Sequence, residues 1–314
     1  MSRPHNISRR AARALTTVAV LFALVLSVLP VAAQEATPTS SDSLLAGLGY
    51  PELTVTTDGT DFDIPAEIAA GRYRVVIQNE SVLSADIEFY QLPEGVTIDD
   101  LLAIFNQDGE DFSVPDFFYA MVFNGGPVSA PGQSGDVVLD LTPGEWVVNL
   151  FTYSEEGEGG EDNNIPKTIA VTGEMPAVEE VPGAIEIGLT EMTFVLPDSI
   201  AAGPQVWKVV NTGFQPHHLI LSQVPEGTTK EQVVELAGSF FGPPASPEAG
   251  AAPALAFEDV VDVAETLVLS NGRANWIEVD LAPGTYAAIC FMPAAGTDLP
   301  HVMMGMVEVF TVNA

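Results

Sequence analysis

The sequence predicts an all-β chain of two tandem Greek-key β-sandwiches, each with one short helix. Three observations predict it. Short runs of alternating apolar and polar residues, broken by Gly, Pro and Asn, recur along the chain, as half-buried strands require. The whole pattern then begins again past the midpoint, with residues matching at fixed offsets. Finally, 314 residues with 47% apolar content supply cores for two domains of ordinary size.

Taken in order, residues 1–33 read as a secretory signal rather than fold. Arg3, Arg9, Arg10 and Arg13 precede an apolar run from Ala14 to Leu29, and Val31-Ala32-Ala33 supplies small residues before a cleavage at Gln34. Arg9-Arg10 is a poor match to twin-arginine export, and an uncleaved membrane anchor is the alternative. Residues 34–49, rich in Pro, Ser and Thr, predict a flexible linker. A first domain over 50–174 follows. Its strand runs are ELTVTTDGTDFDI, RYRVVIQN, ADIEFYQL, DVVLDL, EWVVNLFTY and KTIAVTG, with a turn at Thr142-Pro143-Gly144. The helix is TIDDLLAIF, opened by a Thr97–Asp100 pair of capping-box type. The acidic stretch from Glu155 to Asn164 reads as a solvated loop without the spacing of a calcium loop. Residues 175–183 predict an interdomain linker, and 184–314 a second domain.

The duplication is read residue by residue. An offset of 132 pairs Phe62 with Phe194, Ile68-Ala69-Ala70-Gly71 with Ile200-Ala201-Ala202-Gly203, Asn79 with Asn211, and Pro93-Glu94-Gly95 with Pro225-Glu226-Gly227. After an insertion near Gly242 to Pro253, an offset of 140 pairs Asp140-Leu141 with Asp280-Leu281 and Pro143-Gly144 with Pro283-Gly284.

Charge narrows the partners. The leader holds four of the ten basic residues and none of the 43 acidic ones. Phosphate binding needs Lys and Arg, so neither nucleic acid nor an anionic membrane surface suits this chain. A lone cysteine in an exported protein forms no internal disulfide; it is buried, paired between chains, or a metal ligand.

The chemistry-bearing residues gather in the second copy: His217, His218, Cys290 and His301, with Met292, Met303, Met304 and Met306 beside the last two. A thiol, imidazoles and thioethers together make a soft-metal ligand set suited to copper. The first copy has Ala85, Asp86, Leu150 and Glu161 at the corresponding places, so the fold does not need these groups. Adjacent strand residues face opposite sides. In the first copy Ala85, Ile87 and Phe89 form the apolar face, so the inward residue of the pair is His217 and His218 faces out. A hydrogen-bonded strand histidine is the alternative for His217, and adaptable core filling is the alternative for the methionines. The sequence contains no Gly-x-Ser-x-Gly, His-Glu-x-x-His or phosphate-loop motif, which points away from an enzyme.

Asn211 with Pro216-His217, then Pro283-Gly284 with Tyr286 and Cys290, then Pro300-His301 with Gly305-Met306-Val307, resembles the cupredoxins, especially plastocyanin-type domains. The resemblance implies a type 1 copper centre for one-electron transfer with a redox partner protein. In it His217, Cys290 and His301 are the equatorial ligands and Met306 the weak axial one. The chain departs from the pattern in one respect. Ten residues, Phe291 to Pro300, separate Cys290 from His301, a longer loop than the resemblance implies. A metal-free extracellular binding module and a Met/Cys/His carrier of Cu(I) are the competing readings.

Overall fold

A computed structural model describes residues 43–105, 113–154, 163–240, 255–297 and 299–314. The predicted signal, most of residues 34–49, nearly all of the acidic stretch with Glu161, and the insertion near Gly242–Pro253 lie outside the described residues.

The strands of the first copy are β1 (Glu52–Thr57), β2 (Phe62–Asp63), β3 (Glu67–Ala69), β4 (Gly71–Asn79), β5 (Ser84–Gln91), β6 (Val122–Phe123), β7 (Val128–Ser129), β8 (Ser134–Leu141), β9 (Gly144–Tyr153) and β10 (Asn163–Thr172). Those of the second are β11 (Ile185–Thr190), β12 (Thr193–Val195), β13 (Ile200–Ala201), β14 (Gly203–Asn211), β15 (His217–Val224), β16 (Val261–Leu269), β17 (Ala274–Leu281), β18 (Gly284–Ile289) and β19 (Val307–Asn313). Each copy stacks two sheets, as two amphipathic sheets must to bury their apolar faces. In the first copy β2-β1-β4-β8 faces β3-β10-β9-β5-β6; in the second, β12-β11-β14-β17 faces β13-β19-β18-β15-β16.

Strand pairing reproduces the duplication down to the register. Leu53 pairs with Val75 as Ile185 pairs with Trp207. Gly71 pairs with Leu141 as Gly203 pairs with Leu281. Glu88 pairs with Asn149 as Ile220 pairs with Ile289. The turn predicted around Pro143-Gly144 is braced identically in both copies. Trp146 Nε1 donates to the Thr142 carbonyl at 2.8 Å, and Tyr286 OH to the Ala282 carbonyl at 2.9 Å. Either bond satisfies the polar tip of an otherwise buried ring.

Helix α1 (Ile98–Phe105) forms as predicted, with the Thr97 and Asp100 side chains each bonded to the other's backbone N–H. The first copy also holds a five-residue helix, α2 (Asp116–Ala120), which the sequence reading does not contain. Its single turn is too short to carry a period. Helix α3 (Lys230–Gly238) belongs to the second copy and starts at a full capping box of Thr229 and Gln232. Among the described residues no helix is long and apolar enough to cross a membrane.

The two copies are joined edge to edge. Strands β17 and β8 pair at Asn275–Leu139 and Trp276–Val138, which makes one eight-stranded sheet of the two halves. The Arg72 guanidinium stacks 4.0 Å from the Trp276 ring centroid and binds Asp140 through both carboxylate oxygens. The segments on either side of the copies dock here as well. Leu45 and Val181 are buried with Val138 and Trp276, and Arg72 also donates to the Glu179 carbonyl. The ends of both predicted linkers are therefore packed against the shared sheet, because each offers one apolar side chain to it.

Candidate metal centre

The centre forms where β15, β18 and the segment before β19 meet at one end of the second sandwich. A loop over 212–216 leads into β15 and is tied at its base by Asn211. The Asn211 side chain donates to the Gln215 carbonyl at 2.8 Å and to the Leu269 carbonyl at 2.6 Å, and accepts from the Gly213 N–H at 2.8 Å. Asn79 makes the corresponding bonds to Leu83 and Ser81 in the first copy. His217 then opens β15. Register against β16 slips by one residue between His217 and Leu219, an irregularity of the kind that re-aims side chains.

Cys290 follows β18 directly, and its N–H donates to the Met306 carbonyl at 3.3 Å. The long segment between Cys290 and His301 does not sprawl. The His301 N–H donates to the Met292 carbonyl and the Ala294 N–H to the Leu299 carbonyl, both at 2.8 Å, with a bridge between Pro293 and Pro300. These bonds close a small hairpin whose neck sets His301 one hydrogen bond from Met292. Its tip is tied across to the other loop, where the Ala295 N–H donates to Gln215 Oε1 at 2.7 Å. Lengthening a loop from about three to about ten residues costs roughly 1 kcal/mol in closure entropy. Two net hydrogen bonds of about 1 kcal/mol each offset that. The length of the loop is therefore compatible with a fixed His301.

A 3₁₀ turn over His301–Met304 comes next and ends at Gly305, whose φ of 98° lets the chain reverse into Met306. The Met306 N–H closes the turn on the His301 carbonyl at 2.9 Å.

These elements bring three donor atoms together. Nδ1 of His217 and Nδ1 of His301 stand 3.0 Å apart, and Cys290 Sγ lies 3.9 and 3.5 Å from them respectively. All three residues are fully buried. Metal–nitrogen bonds of about 2.0 Å and metal–sulfur bonds of about 2.3 Å put two ligands of one ion roughly 3 to 4 Å apart. The donors stand at those separations, so this set fits a single soft ion. Met306 and Met292 are both fully buried in the apolar cluster that also holds Cys290. Met303 and Met304 are exposed, and the Met303 side chain rests against Gly238 of α3.

Burial dominates the electrostatics. Loss of solvent holds His217 down at about 4, with the Glu191 carboxylate acting the other way, and holds His301 at about 3. It pushes the Cys290 thiol up to about 12, against the backbone N–H groups of His218 and Met292 that point at the sulfur. Without an ion the three donors are thus neutral at pH 7. A metal entering must displace the thiol proton, and binding strengthens as pH rises.

One expectation is corrected. His218 does face the opposite side of β15 from His217, but that side is not solvent. Helix α3 and the 3₁₀ turn cover it with Val233, Ala237 and Val302. His218 is buried, its burial holds it at about 3, and its Nε2 accepts the Phe291 N–H at 2.7 Å. At the places of His217 and Cys290 the first copy has the apolar, buried Ala85 and Leu150.

No family model and no curated protein matches the chain. Solved structures similar to it include a reduced auracyanin from Roseiflexus castenholzii, at 23% identity over 43% of this chain and 100% of that one, with a TM-score of 0.29. Auracyanin A of Chloroflexus aurantiacus, a blue copper protein, is 24% identical over 41% of this chain and 98% of its own, at TM-score 0.26. The McoA multicopper oxidase of Aquifex aeolicus is 15% identical over 85% of this chain and 66% of its own, at TM-score 0.23. By its own strand order and pairing, the chain is a tandem of two β-sandwiches of one design, the second of which encloses a buried His–Cys–His cluster.

Proposed function

We propose that this is an exported one-electron carrier whose domain over 184–314 would bind one copper ion through His217, Cys290 and His301, with Met306 as a further, weaker ligand. The convergence of two imidazole Nδ1 atoms and one thiol within 4.8 Å of one another, all buried, carries the reading. Copper held by such a set supplies a Cu(II)/Cu(I) couple.

The chain contributes the frame. The Asn211 clamp fixes the approach of His217, and the Met292–His301 neck fixes that of His301. Both would hold the donors near one spacing, which would limit rearrangement around a bound ion that changes charge. Full burial of the three donors favours exchange of an electron with a partner protein over binding of a substrate, and so a carrier rather than an enzyme. The exposure of Met303 and Met304 speaks against a methionine-rich Cu(I) carrier. Export rests on the leader sequence. The domain over 50–174, with Ala85 and Leu150 in place of donors, is a structural partner in this reading.

The test is a titration of the purified protein, freed of its leader, with Cu(II). An intense visible thiolate-to-copper band at one equivalent is expected, and Cys290→Ser should remove it while leaving the fold intact. A protein that stays colourless and retains no copper refutes the reading and leaves a metal-free scaffold. A colourless protein that retains Cu(I) supports transport of the ion instead.

A further inference from the structure

The outer edge of His217 carries a feature that the ligand set does not use. With Nδ1 turned toward Cys290 and His301, the Nε2 of His217 is buried and has no hydrogen-bond partner. Glu191 lies beside that edge. It stands in the two-residue turn between β11 and β12, where Thr190 pairs with Thr193, and its neighbour Met192 has the left-handed φ of 56°. The Glu191 carboxylate accepts from the N–H groups of Phe214 and Gln215, so it is anchored to the loop that leads into His217.

Gly213 is what lets it reach. A Cβ added there would stand 2.8 and 3.0 Å from the two Glu191 oxygens and 3.0 Å from His217 Nε2. Any larger residue would occupy the space that the carboxylate and the imidazole edge share. The first copy has the reciprocal arrangement. At the position of Glu191 it has Gly59, and at the position of Gly213 it has Ser81, with Gly59 as the residue that lacks room: its Cβ would stand 2.8 Å from the Ser81 Cβ. The registers that align these positions coincide, since Thr57 pairs with Phe62 as Leu189 pairs with Phe194. A glycine thus exchanges sides of one contact between the two copies. Only the copy with histidines and a cysteine places a carboxylate there.

We propose that Glu191 is a positioning residue for His217. Its carboxylate shares the space at Gly213 with the Nε2 edge and favours the tautomer with the proton on Nε2, which leaves the Nδ1 lone pair turned into the cluster. It also sets a fixed negative charge beside the centre, which strengthens His217 as a donor and favours the more positive state of a bound ion. The N–H groups of Phe214 and Gln215 hold the carboxylate in this place. The effect on copper rests on the function proposed above; the effect on the histidine does not.

Two measurements separate them. In copper-free protein, ¹⁵N NMR of the imidazoles should show His217 protonated at Nε2 and His301 at Nδ1, donating across their 3.0 Å contact. In Glu191→Gln the amide oxygen still accepts from Phe214 and Gln215, but the charge is gone. This preference should weaken or reverse, and Gly213→Ala, which inserts a methyl into the shared space, should do the same. In copper-loaded protein, Glu191→Gln should lose about tenfold or more in Cu(II) affinity, lose less in Cu(I) affinity, and so show a higher reduction potential. If wild-type protein binds no copper, the functional reading fails, while the tautomer measurement still decides the role of Glu191. An unchanged imidazole pattern in both variants overturns the proposal. So does an unchanged ratio of Cu(II) to Cu(I) affinity in protein that binds copper.

Discussion

Replacing His218 with alanine should destabilise the copper-free protein far more than a histidine beside, rather than in, a metal centre ordinarily would. Its Nε2 accepts the Phe291 N–H at 2.7 Å, and both residues are buried. At pH 7 the ring is neutral because burial holds it at about 3, so the acceptor lone pair is available. Truncation leaves the Phe291 N–H without that acceptor in a site closed to water, which costs about 1–3 kcal/mol. Loss of the ring from a packed layer with Phe291 and its neighbours adds roughly 2–3 kcal/mol. The sum is on the order of 3–6 kcal/mol, a large part of the 5–15 kcal/mol that holds a typical domain folded.

The assay is urea unfolding of copper-free protein at pH 7, followed by the fluorescence of Trp146, Trp207 and Trp276, all three buried. The midpoint should fall with little change in slope. His218→Gln, which keeps a carbonyl oxygen near the same reach, should fall between wild type and alanine. A loss below about 1 kcal/mol for alanine, set against the range expected for an orphaned buried donor, would refute the reasoning. A glutamine variant no better than alanine would assign the whole effect to the cavity.

Two further outcomes are expected. Met306→Leu and Met292→Leu conserve volume, so each should cost less than about 1.5 kcal/mol in stability. Only the first should shift the visible band and raise the reduction potential of the copper form; a shift from Met292→Leu alone would reassign the axial position. The third concerns half-buried carboxyls on β5 and β16. Loss of solvent raises Glu88 to about 8, Glu265 to about 7 and Asp262 to about 6. A group raised in the folded state stabilises fully below its unfolded value, and that contribution is lost as pH climbs through the folded one. Thermal stability should therefore decline between about pH 5 and 8, the interval set by those values. Glu88→Gln, whose amide oxygen can still accept the Val268 N–H, should flatten that decline. A variant that follows the wild-type slope would show that Glu88 titrates elsewhere.

What the sequence made legible was periodic or repeated. The duplication could be read because matching residues hold matching registers, and those registers picked His217 over His218 as the residue facing the interior. The covering of His218 could not be read. A period of two says which side of a strand a residue faces, not what packs on that side, and the cover comes from α3 and from the 3₁₀ turn, both distant in sequence. The neck of the long loop was equally hidden, because it is made of backbone bonds from Met292, Ala294 and Leu299 to which side chains contribute little. Helix α2 escaped for want of length, with only the five residues after Pro115 to announce it. Glu191 is different. Its turn gives no hint, but the offset of 132 that sets Gly59 and Ser81 against Glu191 and Gly213 holds the signal that could have found it.

That comparison also decides how much of the second sandwich depends on its donors. The frame that holds them is common to both copies: the Asn79 and Asn211 clamps, the Trp146 and Tyr286 braces, and the strand registers between them. In the first copy this frame closes over Ala85 and Leu150 and needs no ion. In the second it closes over two imidazoles and a thiol, which burial keeps neutral and therefore tolerable in an apolar interior. The clamp and brace around the donors are thus ones that a copy with Ala85 and Leu150 in place of His217 and Cys290 also builds. A metal site built on that frame would draw its selectivity from the softness of the three donor atoms and from the small space between them.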